Sequence, residues 1–203
     1  MTGVLLVLLA GGLSRRMGGG DKSLQMLGGR PILRRIIDRL AAPGMPAILN
    51  ANGDPARFAG FGLPVVPDSV ADFPGPLAGV LAGMRWAQAN APQAADIITV
   101  PTDSPFLPRD LVTRLRTGRD AAGAELACAA SAGRPHPVIG LWPVRLADDL
   151  EQAMAAGVRK VDVWTARHRL AVVDFPVGRV DPFFNVNRPE DLAEAECLLA
   201  GAE

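Results

Sequence analysis

Apolar residues run unbroken from position 4 to position 10, with no polar residue between them. Such a run is typical of a strand that is covered on both faces in a parallel sheet. A glycine-rich segment follows, and Pro31 then suits the first turn of a helix that Pro43 and Gly44 would end. Helical spacing recurs between these prolines at Ile32, Leu33, Ile36, Ile37 and Leu40. The first 45 residues therefore predict a strand, a loop and a helix.

The same alternation continues to the end of the chain. Further predicted strands cover residues 47–50, 63–66, 96–100, 125–130, 137–142 and 170–175. Further predicted helices cover residues 77–89, 108–117, 145–156, 158–168 and 189–199. Strands that alternate with helices predict an α/β sandwich with a mostly parallel central sheet.

Composition narrows the class of protein. The 203 residues, 49% of them hydrophobic, suffice for one sizeable core, so we expect a single domain over residues 1–203. Because the net charge is zero, no overall field attracts nucleic acid or an anionic membrane, and a small-molecule partner is expected.

The cysteines and the first apolar run indicate the expected redox compartment and the relation of the chain to a membrane. Cys128 and Cys197 form no C-x-x-C pair, which argues against a disulfide framework or a zinc ribbon and favours a reducing cytoplasm. The first apolar run lacks a basic flank and stops at Gly11, so it predicts a buried strand and neither a signal peptide nor a membrane span.

Four polar loops follow predicted strands. In open α/β sheets, ligands bind outside the carboxyl ends of the strands, so these loops are where we expect the chemistry. They are the glycine-rich loop at 11–23 and the segments 50–52, 67–69 and 102–104.

The glycine-rich loop matches neither of two familiar phosphate-binding motifs. A P-loop needs glycine before its Lys-Ser pair, but Asp21 stands there, and G-x-G-x-x-G also fails. Glycines still allow the backbone to approach an anion closely, and Arg15, Arg16 and Lys22 supply positive charge. The loop therefore predicts a polyphosphate cradle, the alternative being a solvated turn.

Motifs along nearly the whole chain carry a family resemblance. The segments are LAGGLSRRMGGGDK at 9–22, NAN at 50–52, PDSVADFPGPLAG at 67–79, PTDSPFLP at 101–108, HPVIGL at 136–141, GVRKVDVW at 157–164 and FFNVNRPEDL at 183–192. In this order they resemble the molybdenum cofactor guanylyltransferases. The resemblance implies a Rossmann-like nucleotidyltransferase fold and the transfer of GMP from GTP to the terminal phosphate of molybdopterin, with release of pyrophosphate.

The resemblance assigns the GTP and magnesium site to the N-terminal half. Asp103 is the expected Mg²⁺ ligand, since Mg²⁺ commonly takes one or two carboxylates plus substrate phosphates; the alternative is a turn residue. Lys22 and Arg16 are expected to neutralise the triphosphate and, with Asp103, to act in catalysis. Nucleotide contacts are expected from Leu9, Ala10, Gly11, Gly12, Lys22, Asn50, Asp68 and Asp103.

The acceptor site is expected in the C-terminal half. By resemblance, molybdopterin contacts come from Arg159, Lys160, Asn185 and Asn187, whose amides suit a pterin and whose cations suit its phosphate. Without the resemblance, Arg159 and Lys160 would be an exposed charged pair and the asparagines a turn. His136 is kept as a candidate acceptor contact.

The sequence also fits three rival functions. Related enzymes that use CTP carry alanine where Gly12 stands here, so the sequence favours guanine over a molybdopterin cytidylyltransferase. A sugar-1-phosphate nucleotidyltransferase would use the same glycine-rich loop, and a nucleotide-binding or interaction protein would keep the fold without the chemistry. Molybdoenzymes or their chaperones are partners by family analogy alone.

Overall fold

A computed structural model describes residues 3–10, 21–69 and 75–201. Its strands are β1 (Gly3–Leu9), β2 (Met26–Leu27), β3 (Arg30–Pro31), β4 (Ala47–Asn50), β5 (Val65–Val66), β6 (Ala94–Pro101), β7 (Leu126–Ser131), β8 (Arg134–Pro143) and β9 (Leu170–Asp174). Seven of them form one sheet in the order β5-β4-β1-β6-β8-β7-β9. Only β8 runs antiparallel to its neighbours among the described strands of this sheet. The predicted α/β class with a mostly parallel sheet is confirmed.

The helices are α1 (Ile32–Leu40), α2 (Pro76–Asn90), α3 (Leu111–Ala121), α4 (Ala147–Ala155), α5 (Val161–Thr165) and α6 (Pro189–Ala200). Three of these helices begin two or three residues later than predicted. Residues 108–110 form a turn before α3, and a 3-10 turn precedes α4. The helix predicted over 158–168 shrinks to five residues, because Lys160 is extended and directly precedes α5. The small β2–β3 hairpin and a 3-10 segment at Pro55–Phe61 were not predicted.

The core lies on both faces of the sheet, and β1 supplies both. Leu6 and Leu8 pack with α1 and α3, whereas Leu5 and Val7 pack with α2 and α4. Because successive side chains of a strand point to opposite faces, a strand buried on both faces must be apolar throughout. This accounts for the unbroken run in the sequence. Within the described ranges, no helix combines the length and the apolar character needed to cross a membrane.

Three parallel strands end level with one another. Leu9 of β1 is in register with Asn50 of β4 on one side and with Pro101 of β6 on the other. The backbone confirms the alignment past the strand ends, since the Ala10 amide donates to the Asn50 carbonyl at 2.9 Å. The predicted polar segments 50–52 and 102–104 therefore share one edge of the sheet.

Candidate functional site

A cavity of about 70 Å³ lies where β1 and β6 end. Its described lining is Leu9, Ala10, Asp21, Lys22, Ser23, Pro101, Thr102 and Asp103. Thr102 is fixed to the end of β1, because its amide and its hydroxyl both donate to the Leu9 carbonyl at 3.2 Å. The structure thus brings together Leu9, Ala10, Lys22 and Asp103, which the sequence predicted as nucleotide contacts.

Two buried polar atoms in this lining have no hydrogen-bond partner in the part of the chain that the structure describes. They are the Ser23 hydroxyl oxygen and Oδ1 of Asp103. A buried acceptor without a donor is costly, which favours a ligand at this point. Burial also raises the pKa of Asp103, although the nearby Lys22 ammonium opposes the shift. A bound cation would satisfy the carboxylate.

Asp103 could hold a magnesium ion in one specific mode. No group of three or more His, Cys, Asp and Glu side chains capable of holding a metal occurs among the described residues. A closed all-protein metal cage is therefore absent from that part of the chain. Mg²⁺ is often bound by one or two carboxylates plus substrate phosphates, and the unpartnered oxygen of Asp103 fits that donor set.

Lys22 and Asp103 are both tied to the segment that precedes α6. Lys22 Nζ donates to Oδ1 of Asn187 at 2.7 Å. The Asp103 carbonyl accepts from the Val186 amide at 2.8 Å, and the neighbouring Ser104 hydroxyl donates to Oδ1 of Asn185 at 2.6 Å. Asn185 and Asn187, predicted for the acceptor, therefore lie beside the cavity.

The start of α6 explains how this segment is held. Oδ2 of Asp191 accepts from the backbone amides of both Asn187 and Arg188 at 2.8 Å. A carboxylate at this position satisfies amides that the helix leaves free, and Pro189 occupies the first turn. The NVNRPEDL motif is thus a helix start that presents two asparagines to the site.

Asn50 and Asp68 form a second polar group at the same sheet edge. Nδ2 of Asn50 donates to Oδ1 of Asp68 at 3.0 Å, and Nδ2 of Asn52 donates to Oδ2 at 2.7 Å. Asn52 Oδ1 also accepts from the Asp68 amide at 2.9 Å. Both carboxylate oxygens of Asp68 are therefore oriented by neutral amides.

An ion pair that the sequence did not predict links the cavity lining to the polar group around Asp68. Arg57 Nε lies 2.7 Å from Oδ2 of Asp21, and another nitrogen of Arg57 donates to the Asn52 carbonyl at 2.6 Å. Arg57 lies in the unpredicted 3-10 segment, so no motif pointed to it. Ser23 was likewise missed as a lining residue, although its place beside Lys22 was a usable signal.

Arg159 and Lys160 are flanked by residues that pack on the opposite face of the sheet from the asparagine segment. Their neighbours Val158 and Val161 pack with the α2 and α4 cluster, whereas Val186 packs in the other cluster. Arg159 donates to the carbonyls of Met154 and Val158 at 3.0 and 3.2 Å, and exposed Lys160 immediately precedes α5. The four predicted acceptor residues thus come from two separate regions.

His136 belongs to a polar cluster at the end of β7. Its Nε2 lies 2.8 Å from the Ser131 hydroxyl, which donates to Asp181 at 2.9 Å, and its ring lies 4.6 Å from that of Phe183. Burial lowers the pKa of His136, partly offset by the Asp181 carboxylate. Because Ser131 bridges the other two, this is not the order of a Ser-His-Asp nucleophile.

Several predicted residues fall outside the described part of the chain. Gly11, Gly12, Arg15 and Arg16 belong to residues 11–20, which lie outside it. The same holds for residues 70–74 of the PDSVADFPGPLAG motif.

Known proteins share this chain's sequence over most of its length. Residues 6–171 match the MobA-like NTP transferase domain. A molybdenum cofactor guanylyltransferase from Rhodopseudomonas palustris (strain BisB5) is 60% identical over 191 residues, covering 94% of this chain and 91% of the relative. One from Bradyrhizobium sp. (strain ORS 278) is 56% identical over 200 residues, covering 98% and 94%.

A solved structure has the same fold. Molybdopterin-guanine dinucleotide biosynthesis protein A from Archaeoglobus fulgidus superposes with a TM-score of 0.73 at 23% identity, covering 97% of this chain and 99% of that one. Together with the family match and the two close relatives, the site geometry leads to one assignment. The chain belongs to the molybdenum cofactor guanylyltransferase family of MobA-like nucleotidyltransferases.

Proposed function

We propose that this enzyme transfers GMP from GTP to the terminal phosphate of molybdopterin, in a magnesium-dependent reaction that releases pyrophosphate. The names of the close relatives support the reaction. One structural observation supports its location: the unpartnered Asp103 Oδ1 lies in the same small cavity as Lys22. The Asp103 carboxylate could bind a metal ion and the Lys22 ammonium could bind phosphate oxygens, which suits a phosphate-bearing substrate with its metal.

The reaction brings two anions together. An oxygen of the acceptor phosphate attacks the α-phosphorus of GTP, the bond from that phosphorus to the bridging oxygen breaks, and pyrophosphate leaves with the electron pair. Positioning and charge neutralisation supply most of the rate in such transfers. Mg²⁺ held by Asp103 would supply Lewis acidity and charge neutralisation at the phosphates.

Lys22 carries the described positive charge closest to this chemistry. Its ammonium contacts the Asn187 amide oxygen at 2.7 Å, and that neutral contact leaves its charge for the phosphates. A compact ammonium acts on phosphate as a point charge. Arg16 joins it in this proposal as a second triphosphate contact.

Nucleotide binding is assigned to the ends of β1 and β4. Leu9 and Ala10 offer backbone beside the cavity, and Asn50 with Asp68 forms the fixed polar group next to it. Gly11 and Gly12 complete this side in the proposal, with Gly12 favouring guanine.

The acceptor is assigned to the C-terminal half. Asn185 and Asn187 lie between the cavity and α6, and Arg159 and Lys160 are proposed to approach molybdopterin from the α2 face. His136 is a further candidate contact. The N-terminal half thus takes GTP and magnesium, and the C-terminal half takes molybdopterin.

We place the enzyme in the cytoplasm, in line with two free cysteines. Molybdoenzymes or their chaperones would receive the product there.

The direct test follows label from α-labelled GTP or CTP into product, with molybdopterin and Mg²⁺. We expect product from GTP alone, loss of product without divalent cation, and at least about a hundredfold loss of rate in Asp103→Ala, as for removal of a group that stabilises transition-state charge. Asp110→Ala is the matched control, because Asp110 is exposed and makes no side-chain cap bond. Product from CTP would overturn the choice of base, and near-normal turnover of Asp103→Ala would overturn the metal assignment.

A further inference from the structure

A second pocket lies between α1 and the segment that leads into α3, and its described lining shares no residue with that of the cavity at the ends of β1 and β6. Its volume is about 130 Å³, and its lining is Arg30, Arg35, Asp38, Arg39, Pro105, Phe106, Arg109 and Leu199. We call it the arginine pocket. Four arginines face one aspartate there, so the described lining carries three net positive charges.

Carbonyl oxygens hold the two inner arginines. Arg39 Nε donates to the Leu107 carbonyl at 2.6 Å, and Arg35 Nε donates to the Leu27 carbonyl at 2.6 Å. These neutral contacts orient the guanidinium groups without cancelling their charge. Burial, together with Arg109 and Arg35, lowers the pKa of Arg39, which indicates that the cluster repels itself.

The carboxylate in the pocket offsets little of this charge. Asp38 pairs with Arg30 at 3.3 Å, but their side chains are 40% and 63% exposed. Exposed pairs of this kind contribute little, because solvent and salt screen their attraction. Arg109 reaches only the backbone carbonyl of Asp38, at 3.5 Å. The pocket is therefore electropositive and lacks a matching internal anion among the described residues.

The size and chemistry of the pocket limit its ligand. At about 30 Å³ per water molecule, 130 Å³ holds about four waters, which is room for one phosphate group. Guanidinium groups match phosphate oxygens through paired N–H donors. We propose that the arginine pocket is a second anion site that binds a phosphate group, separate from the nucleotide cavity.

The first experiment titrates inorganic phosphate by calorimetry at constant ionic strength. It is run on the full chain and on Lys22→Gln, which removes the Lys22 ammonium from the cavity at the ends of β1 and β6. Saturable binding that survives in Lys22→Gln supports the arginine pocket. Binding that disappears in Lys22→Gln, or an absence of saturable binding, overturns the proposal. Because GTP transfer is not measured, this result is independent of the proposed enzymatic function.

Charge variants then locate the site. In the Lys22→Gln background, Arg109→Gln should weaken phosphate binding about five- to tenfold, since it removes a charged donor from an exposed site. Asp38→Asn should tighten binding, because it removes the negative charge in the lining. Arg34→Gln is the matched control: Arg34 lies on α1, as Arg35 and Arg39 do, but it does not line the pocket and donates to the Gly60 carbonyl. Equal weakening by Arg34→Gln and Arg109→Gln would overturn the proposal.

The same titration with pyrophosphate and with a glutamate-rich peptide distinguishes sources of negative charge. Phosphate-type anions should compete with one another for the pocket, and the peptide should not displace them. Displacement by the peptide would overturn the phosphate assignment and would instead indicate a docking surface for an acidic partner.

Discussion

Replacing Gly79 by alanine tests whether the position of Asn50 matters for catalysis. Gly79 lies in the first turns of α2, directly against the ends of β1 and β4. A methyl group placed there would lie 2.6 Å from Cδ2 of Leu9 and 3.1 Å from Cγ of Asn50, and closer still to Oδ1 of Asn50. The substitution therefore pushes on the side chain that orients Asp68.

The distances around Gly79 set the expected size of two effects, a loss of stability and a loss of turnover. Ordinary contacts begin near 3.4 Å, so Leu9 or the helix must move by roughly 0.8 Å, and Asn50 by a similar amount. Overpacking of this kind costs about 1–3 kcal/mol, and the better helix propensity of alanine returns about 1 kcal/mol. The net loss is about 0–2 kcal/mol, or up to about 8 °C in melting temperature for a chain of this length. A displacement of about 1 Å can also lower turnover by up to about a hundredfold.

Gly83→Ala separates the two effects. Gly83 lies one turn further along the same helix, and a methyl group there would lie 2.7 Å from Cγ2 of Val7 and 3.2 Å from Cδ1 of Ile97, both core residues. The control should lose similar stability but keep its activity. Thermal unfolding and steady-state GTP transfer are measured on both variants. Equal turnover of the two variants would refute the positioning role of Asn50.

Three further predictions follow from side chains that the fold buries fully or in part. The buried indole N–H of Trp142 donates to the Thr99 hydroxyl at 2.7 Å, and Thr99→Val removes this acceptor. The substitution should lower the free energy of unfolding by about 1–3 kcal/mol, whereas Thr99→Ser should lower it less. Equal losses in the two variants would contradict this. The pKa of His136 is lowered from 6.5 by burial, so the unfolded chain binds a proton that the folded chain does not. Stability should therefore fall as pH drops below about 6.5, and His136→Gln should reduce that dependence of the urea midpoint. Burial raises the pKa of Cys128 to about 11, whereas Cys197 is exposed. At a pH of about 8, a thiol reagent should therefore modify Cys197 and leave Cys128 unmodified until the chain is denatured. Equal rates of modification in the native protein would refute this.

Periodicity predicted the fold because the strong elements are buried on defined faces. The strand at the start of the chain and the helix that follows Pro31 lie where the apolar pattern placed them, since burial alone decides such segments. The predicted ends of helices were wrong where the pattern of buried residues gives little information. The region 158–168 contains no glycine or proline that would mark a boundary, but the chain turns at Gly157, whose φ is +93°, and becomes helical only at Val161.

The candidate site likewise contains some residues that the sequence could predict and others that it could not. Asp103 and Lys22 were predictable because a carboxylate and a lysine followed a buried strand and a glycine-rich loop. Arg57 could not be predicted, because its partner Asp21 lies 36 positions away and no periodic pattern connects them. The arginine pocket had no local signal either: Arg109 is brought to α1 only by the packing of the segment that precedes α3.

Neutral amides hold Lys22, which lines the cavity at the ends of β1 and β6, and Asp68 of the neighbouring polar group, and this has an electrostatic consequence. Asn187 holds Lys22 through its oxygen, while Asn50 and Asn52 hold Asp68 through their nitrogens. A carboxylate in place of Asn187, or a guanidinium in place of Asn52, would orient its partner equally well but would cancel its charge. Charges that are fixed yet uncancelled retain their field for a substrate, and preorganised fields of this kind stabilise charge in the transition state. The asparagines around this cavity therefore suit a site that must act on a phosphate chain and a cation at once.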